Sequence, residues 1–502
     1  MTMHHKNIKR QVVKKLKEEF PHWNRLKAKE KKEITNKVLN EVVAMYDFNQ
    51  EIDCGKHELF GIEEQVHNEE ILTIDKMNNF IEEHKSNNLL RLIGGNKENP
   101  HFACDELSFI DSIIDNQIID ALLSYEGYSP QMRDLFPHHL FRAEMLKTLK
   151  YPEISYRKFC TKEYFGMHQK ENKCFIGFPL HKNKIIDHTV LSKFRSGLQF
   201  HQLVNILVYI ICIFRNSGFI NDNILYGIDS TDITAVNQRY LAQIEVNGTK
   251  IRIYDDLNCD CGKRRNKRDK SYYVIGYRLH TLTAINPESG HSYPLLPLLA
   301  PANHHDSLFA HPIISLAKAI GLNIKLVTAD EAYHDKDSEI FNDTGASIIT
   351  PPVKKVNIPE YVDIELKQVF CSKYCSTPMQ YLGVYENLHE FKCAAQWGEC
   401  PFAGSCPQAR YIEIDSGHFQ RISIFHEQAQ EAIDIRKNSE RPFNLLKNVY
   451  GASQARARSQ HGILVQCTFA HAAALLVEMA GTRRKVTPSY TKEQQLPLPM
   501  AA

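Results

Sequence analysis

The chain has 502 residues, of which 43% are apolar, and its formal net charge is only +2. A chain of this length and apolar content can bury more than one hydrophobic core, so we expect two or three domains and exclude a wholly disordered protein. The longest apolar stretch, residues 206–214, is too short to cross a bilayer, and no charged start is followed by an apolar signal core. We therefore expect a cytoplasmic protein with no membrane partner.

The first 40 residues are strongly basic, with 12 Lys or Arg against 4 Glu. Apolar residues recur there at helical spacing, as at Ile34, Val38 and Val42, so we predict a basic helical head over residues 1–48. A basic leader on a nearly neutral chain indicates a polyanionic partner, whereas a solvated helix face is the alternative. On this feature we favour nucleic acid.

The composition and the periodicity of apolar residues change after the head. Residues 49–135 are acidic and mixed, with helical stretches that identify no chemistry, and residues 136–222 have the periodicity of a compact helical domain. Residues 223–480 are rich in the alternating and branched residues that strands favour. We predict that they form one catalytic domain, followed by a tail over residues 481–502.

The predicted elements of the catalytic domain follow a β-β-β-α-β-α-β order. They are strands at 224–229, 250–254, 272–285 and 293–299, a helix at 311–320, a strand at 324–329, a short helix and a strand at 346–350. This order is typical of an α/β fold with a ribonuclease-H-like core, an association that does not fix function. A cysteine-rich insertion over residues 356–417 interrupts this core before helices resume at 431–449 and 462–479.

Three acidic residues stand where such a fold brings side chains to one edge of its sheet. Asp229 and Asp330 each follow an apolar strand, and Glu440 lies on a predicted helix. Arg436 precedes Glu440 by four residues and Lys447 follows it by seven, so at about 100° per residue these three share one helix face. Taken singly, each Asp has a turn or capping explanation and the helix an ion-pair ladder. Their conjunction favours chemistry, because Mg²⁺ is held by a few carboxylates together with substrate phosphate oxygens.

These residues resemble the motifs of the DDE-type transposases of bacterial insertion sequences. That family has its first Asp in an Asp-x-Thr context and its second in Asp-x-x-Tyr, matched here by Thr231 and Tyr333. Its third motif, Tyr-x2-Arg-x3-Glu-x6-Lys, is matched by the three helix residues named above, while Ile433 stands where Tyr is usual. Further shared segments, among them 276–280 and 303–307, place the resemblance over residues 135–480.

The resemblance implies that the chain cuts and joins DNA. Asp229, Asp330 and Glu440 would ligate two Mg²⁺ or Mn²⁺ ions, and Arg436 with Lys447 would hold DNA phosphate beside them. Water would cut at the ends of the element, and the freed 3′ hydroxyl would attack target DNA without a covalent enzyme intermediate. The implied partners are inverted-repeat ends and target DNA, bound by a homodimer associated with the nucleoid.

The insertion is rich in soft-metal ligands. Five thiols lie within 36 residues, with two histidines nearby: Cys371, Cys375, Cys393, Cys400 and Cys406, and His389 and His418. The chain has 13 cysteines, an odd number that favours reduced thiols over a disulfide framework. We predict a structural Zn²⁺ that folds this small module. Buried free cysteines are the alternative, because the spacings miss the two-residue zinc knuckle.

A basic run at residues 263–270 lies between two predicted strands and is followed by two tyrosines. We predict that Lys263, Arg264 and Arg265 contact DNA phosphate, and a solvated hairpin tip is the alternative. Two other functions fit the same sequence: a catalytically silent DNA-binding regulator derived from a transposase, and a ribonuclease-H-like nuclease that cuts without joining. The presence of all three acids disfavours the first, and the basic head disfavours the second.

Overall fold

The fold is described here from a computed structural model. The structure describes residues 3–46, 69–84, 105–124, 135–181, 184–221, 223–247, 249–265, 270–335, 338–352, 358–372, 375, 377–393, 406–414, 419–422 and 427–486. Within these ranges the fold is mixed α/β, as the sequence predicts.

The helices are numbered in chain order. They are α1 (Met3–Glu19), α2 (Ala28–Met45), α3 (Ile74–His84), α4 (Asp105–Ile113), α5 (Asn116–Leu123), α6 (Pro137–Lys150), α7 (Tyr156–Phe159), α8 (Lys162–Phe165), α9 (Lys170–Ile176), α10 (His188–Gly197), α11 (Phe200–Asn216), α12 (Ser307–Ala319), α13 (Glu339–Thr344), α14 (Glu427–Ile435), α15 (Arg441–Asn444) and α16 (Gln460–Val486). Short 3₁₀ helices cover Trp23–Arg25, Glu331–Tyr333 and Arg436–Glu440, and a π-helix covers Leu445–Val449.

The strands are numbered in the same way. They are β1 (Leu225–Thr234), β2 (Tyr240–Val246), β3 (Thr249–Tyr254), β4 (Asp260–Arg265), β5 (Ser271–Ile285), β6 (Ser292–Pro301), β7 (Leu326–Ala329), β8 (Ser347–Ile349), β9 (Val362–Asp363), β10 (Gln368–Val369), β11 (Met379–Tyr385), β12 (Leu388–Cys393) and β13 (Ala409–Glu413).

By internal contacts the chain divides into two compact units. The first contains Met1–His67, Asp222–Phe443 and Ala457–Ile463, and the second contains Asn68–Asn221, Asn444–Arg456 and Leu464–Ala502. The basic head therefore belongs to the same unit as the strands. The domain boundaries drawn from sequence texture stay predictions.

A six-stranded mixed sheet forms the centre of the first unit. Strand β1 pairs antiparallel with β5 on one side and parallel with β7 on the other, and β7 pairs parallel with β8. Strand β5 also pairs antiparallel with β6 and β4. The antiparallel neighbours expected from sequence are thus β1, β5 and β6. The predicted strand at 250–254 forms as β3 but lies outside this sheet, where it pairs with β2.

The head packs on the β2–β3 hairpin and shares one apolar core with it. Residues of α1 and α2 such as Val12 and Leu39 are buried together with Leu241, Ile251 and Ile253 of the hairpin. Alternate residues of a strand face the same side, so the hairpin can offer an apolar face to the helices. Because this shared core holds the hairpin against the helices, the strand at 250–254 pairs with β2 and does not join the central sheet.

The cysteine-rich insertion contains a small β-module. Strands β11, β12 and β13 form an antiparallel sheet, and β9 pairs with β10 in a two-stranded ribbon. Its buried core combines thiols with apolar side chains: Val369, Cys371, Cys375, Met379, Phe391, Ile412 and Phe419. So small a core supports the expectation that the module needs a further crosslink.

The second unit is helical in its described residues. The segment Gln460–Gly481 of α16 is apolar and long enough to cross a membrane, but 78% of its most apolar stretch is buried inside the protein. The pair α10 and α11 passes the same test only as one span bent by 93°. A buried apolar helix is what the core of a globular unit contains, and the expected absence of a membrane partner stays a prediction.

Candidate active site

Asp229 and Asp330 stand side by side on neighbouring parallel strands. Ile228 of β1 is paired with Ala329 of β7, so the next residue on each strand is one of the two acids. Strand β7 ends there, and Asp330 caps the following 3₁₀ turn by accepting a hydrogen bond from the backbone N–H of Glu331 at 2.8 Å. The edge beyond the carboxyl ends of parallel strands is where α/β proteins place their ligands.

Glu440 reaches the same edge from the 3₁₀ helix Arg436–Glu440, which packs on β1. A Cβ placed on Gly227 would lie 3.0 Å from the Cβ of Ser439, the residue before Glu440. Only a residue without a side chain allows so close an approach. The Glu440 carboxylate lies 3.6 Å from the guanidinium of Arg436 and is 59% exposed.

The electrostatics of Asp229 show that the predicted residues act on one another. The pKa of Asp229 is raised from 3.8 to about 6, chiefly by burial and in part by the negative charges of Glu440 and Asp330. The backbone N–H of Ser230, which donates to Asp229 at 2.7 Å, and the positive charge of Arg436 lower that pKa. Four residues from three distant segments of the chain thus form one electrostatic group.

Lys447, the last residue of the predicted third motif, lies in the π-helix Leu445–Val449 and falls in the second compact unit. The helix predicted to carry Arg436, Glu440 and Lys447 consists of consecutive 3₁₀, α and π segments, and the shared face stays a prediction. Pro442 stands at the junction and has no backbone N–H to continue a regular ladder. The phosphate contact predicted for Lys447 stays a prediction.

The basic residues predicted to contact DNA at the β4–β5 hairpin lie in different environments. Arg264 donates to both carboxylate oxygens of Asp232, at 2.8 to 3.1 Å, and to the carbonyl of Ala302 at 2.8 Å. Lys263 is exposed and is paired in register with Tyr273. The side chain of Arg265 lies outside the described residues. A phosphate contact by Arg264 stays a prediction, and it would require breaking these bonds.

A polar network missed at the sequence level lies on the other face of β1. Adjacent residues of a strand face opposite sides, so Ser230 points away from Asp229. Ser230 Oγ accepts a hydrogen bond from Arg278 Nε at 2.8 Å and lies 3.3 Å from Asp306 Oδ2, which also pairs with Arg278. The shared segments at 276–280 and 303–307 contain Arg278 and Asp306 and were the only sequence signal for this network.

Three of the five cysteines in the insertion come together. Cys371 and Cys375 are buried in one small core, and Cys406 packs against it. Burial, followed by these thiols, raises the pKa of Cys371 to about 12. Cys393 packs on the same core, whereas Cys400 lies outside the described residues. Thiolates are the donors that Zn²⁺ prefers, although no three of the described Cys or His side chains form a ligand set for one ion, so the structural zinc stays a prediction.

Of the two histidines near these thiols in the sequence, His389 lies within the described residues. His389 is fully buried and its two ring nitrogens are occupied, one by the hydroxyl of Tyr381 at 3.0 Å and one by the carbonyl of Phe419 at 3.1 Å. It therefore serves the packing of the module. His418 lies outside the described residues.

The three carboxylates offer the oxygen donors that a hard cation prefers, but they do not form a complete ligand set. In the described part of the chain, no three His, Cys, Asp or Glu side chains converge as a complete ligand set for one ion. Mg²⁺ needs no such set, because it retains several waters and takes one or two protein carboxylates together with substrate phosphate. The mutual effect of three acids on the pKa of Asp229 is what a site that accepts cations would show.

Comparisons with known proteins find a distant likeness among solved structures. No protein-family model matches the sequence, and no curated protein matches it. Among solved structures, the chain is similar to a cryo-EM structure of a piggyBac transposase synaptic complex with hairpin DNA. The sequence identity is 10% and the TM-score 0.28, and the match covers 79% of this chain and 84% of that chain. This likeness is too distant to assign a function, which is argued below from the site.

Proposed function

We propose that the chain is a DDE-type transposase of a bacterial insertion sequence, which cuts the ends of its element and joins them to target DNA. One observation carries the proposal: Asp229 and Asp330 stand side by side at one sheet edge, and Glu440 acts electrostatically on the same site. Three acids brought together from distant positions in the sequence favour chemistry over separate capping roles.

The strand order supports a ribonuclease-H-like core for this proposal. The sheet runs β6-β5-β1-β7-β8, with the first three strands antiparallel and the last two parallel to β1. Such a sheet places the first acid on its central strand and the second on the adjacent strand. The third acid then has to come from a helix packed against β1, as Glu440 does.

The proposed cofactor is a pair of Mg²⁺ or Mn²⁺ ions. Asp229, Asp330 and Glu440 would hold them, and when bound they would activate the attacking oxygen and stabilise the leaving one. Arg436 would neutralise part of the local negative charge and contact a DNA phosphate. Since Glu440 and Arg436 already pair, phosphate binding would release the carboxylate for its ligand role.

The proposed reaction consists of two in-line displacements at phosphorus. In the first, a water oxygen bonds to the scissile phosphorus while the bond to the 3′ oxygen breaks, and that oxygen takes up a proton. In the second, the freed 3′ hydroxyl loses its proton and attacks a target phosphodiester, displacing the target's own 3′ oxygen. No external energy source is needed, because each step exchanges one phosphoester bond for a new bond to phosphorus.

The proposed partners are inverted-repeat ends and target DNA, bound by a homodimer in the cytoplasm at the nucleoid. Lys263 of the β4–β5 hairpin is exposed, and Tyr273 opposite it is 67% exposed. A cation beside an aromatic ring suits a DNA backbone and its bases. Lys447 and Arg265 complete the proposed DNA contacts.

The test combines DNA that carries the element's ends with a supercoiled target, in Mg²⁺ and in chelator. Asp229→Asn should abolish cleavage and joining while end binding persists. Asp343→Asn, at a 65% exposed carboxylate on α13, is the matched control and should behave as wild type. Joined products that require Mg²⁺ support the transposase. Cleavage without joining would favour the nuclease, and binding alone would favour the regulator.

We also propose a structural Zn²⁺ held by Cys371, Cys375 and Cys406, with Cys393 or Cys400 as the fourth ligand. Metal binding would deprotonate the thiols and crosslink a module that has little core. The purified wild-type protein should contain about one zinc per chain by elemental analysis. Cys371→Ser should lose it, whereas Cys467→Ser, at a buried cysteine of α16, should retain it. A zinc-free wild-type protein would establish the free-cysteine alternative.

A further inference from the structure

Tyr333 connects the strands of the two neighbouring acids from behind the sheet. It lies three residues after Asp330, at the end of the 3₁₀ turn that Asp330 caps, and it is fully buried. Its hydroxyl is hydrogen-bonded with His280 of β5, and His280 is paired in register with Ser230 of β1, the residue after Asp229. One side chain therefore joins the turn of the second acid to the strand that pairs with the strand of the first.

His280 holds Tyr333 in this position. The ring nitrogen Nδ1 of His280 lies 2.7 Å from the Tyr333 hydroxyl, and both side chains are fully buried. The imidazole also stacks on Phe309 of α12, with ring centroids 4.3 Å apart. Burial, followed by the charge of Arg278, lowers the pKa of His280 well below its usual range, so the ring is a neutral hydrogen-bonding partner.

Ser230 is fixed from its other sides by charged groups. Arg278 donates to its hydroxyl oxygen at 2.8 Å and pairs with Asp306 at 2.5 Å. The backbone N–H of Ser230 donates to Asp229 at 2.7 Å. A displacement of Ser230 would therefore be transmitted to the Asp229 carboxylate through one short bond.

We propose that Tyr333, through its bond to His280, is a positioning residue that sets the separation of the Asp229 and Asp330 carboxylates, because His280 is paired across the sheet with Ser230. The inference rests on the proposed function, because that separation matters only if both acids bind metal ions. Ligand geometry must be held within about 0.5 Å by supporting side chains, and hydrogen bonds behind the ligands provide this constraint.

A purely structural role would not call for this arrangement. An apolar side chain would fill the space behind the sheet without the cost of burying hydroxyl and imidazole groups. A buried polar chain rigidifies and specifies one geometry when its members are bonded to one another. Tyr333 lies between the turn of Asp330 and the strand of Asp229, where rigidity acts on the spacing of the acids.

The test measures Mn²⁺ binding to the full-length protein by electron paramagnetic resonance, so that it does not depend on cleavage. Tyr333→Phe removes the hydroxyl and keeps the ring. It should weaken Mn²⁺ binding about tenfold, as loss of a supporting partner typically does. His280→Phe removes the other end of the bond, keeps a ring to stack on Phe309 and should have a similar effect, and the double variant should be no weaker than either single variant.

Tyr209→Phe is the matched control. Its hydroxyl is buried in the second unit and makes two backbone hydrogen bonds, to Ile113 and from Asp115, so it should lower thermal stability without changing Mn²⁺ affinity. The positioning role is overturned if Tyr333→Phe and His280→Phe leave Mn²⁺ affinity at the wild-type value while Asp229→Asn abolishes binding. If Asp229→Asn also leaves Mn²⁺ binding unchanged, the proposed function itself fails.

Discussion

Gly227 of β1 and Ser439 of the 3₁₀ helix are in direct contact, and this contact brings Glu440 to the sheet. A Cβ on Gly227 would lie 3.0 Å from Ser439 Cβ and 3.0 Å from Ile285 Cδ1. The end of the Ile285 side chain can move, whereas the Ser439 Cβ moves only with its helix.

Gly227→Ala should therefore displace the helix that ends at Glu440. We expect a loss of about 1–3 kcal/mol of stability from overpacking and a larger loss of cleavage. Adding Ser439→Gly should restore both, because it removes the opposing Cβ. Gly197→Ala, where an added Cβ meets nothing within 4 Å, is the control in thermal and cleavage assays. An active Gly227→Ala variant would mean that this contact does not position Glu440.

Asp229→Asn should stabilise the metal-free protein at pH 7 while abolishing cleavage. The pKa of Asp229 is raised to about 6, so the folded protein holds this proton more tightly than the unfolded chain. The extra free energy of unfolding that comes from this tighter proton binding is present below about pH 4 and is lost as the pH rises through about 6. The ionised carboxylate then costs up to about 3 kcal/mol, which Asn avoids. Melting temperatures at pH 7 and pH 4 check this, since the advantage should vanish at pH 4.

Arg436→Gln should shift the acid limb of the cleavage profile to higher pH. The positive charge of Arg436 lowers the pKa of Asp229, so its removal raises that pKa above about 6. A higher pH is then needed to ionise the ligand. Lys437→Gln is the control, because Lys437 is exposed and is not among the charges that shift Asp229. Cleavage rates of the wild type and both variants should be measured between pH 5 and 9 at saturating DNA. Coincident pH profiles for the wild type and Arg436→Gln would contradict the role of Arg436 in lowering the pKa of Asp229.

Asp255→Ala should loosen the basic head. Lys31 of α2 pairs with Asp255 at 2.7 Å, and their side chains are only 6% and 10% exposed. Removal of one partner leaves a buried charge, which typically costs about 3–5 kcal/mol. Glu33→Ala should have no effect, because its 4.0 Å pair with Lys29 is exposed. Hydrogen exchange should rise in α1 and α2; unchanged protection would mean that the apolar core alone holds the head.

Arg195→Met should destabilise the second unit. Arg195 lies 3.3 Å from Glu144, whose side chain is 2% exposed, and its guanidinium stacks on Tyr156. Without Arg195 the buried carboxylate has lost its charge partner, and we expect a loss of about 3–5 kcal/mol at pH 7. Burial raises the pKa of Glu144, so the loss should shrink in acid, where the carboxyl is neutral. Lys158→Met, in an exposed pair, is the control in urea unfolding.

Local patterns predicted five of the six strands of the central sheet and missed β4. The predicted strands at 272–285 and 293–299 coincide closely with β5 and β6, because branched and apolar alternation acts over a few residues. Strand β4, with the sequence Asp-Cys-Gly-Lys-Arg-Arg, has no such pattern and was read as a loop. It forms because the long β5 extends beyond the sheet and offers its backbone groups for pairing.

The sequence by itself determined which residues carry the chemistry of the proposed site. Carboxylates after apolar strands, and an acid between two cations, are visible as residue types at fixed spacings. Tertiary structure decided what surrounds them: the register that sets Asp229 beside Asp330, and the missing side chain at Gly227 that admits Ser439. These depend on contacts between segments about 100 or more residues apart, whose closeness arises only when the whole core is packed.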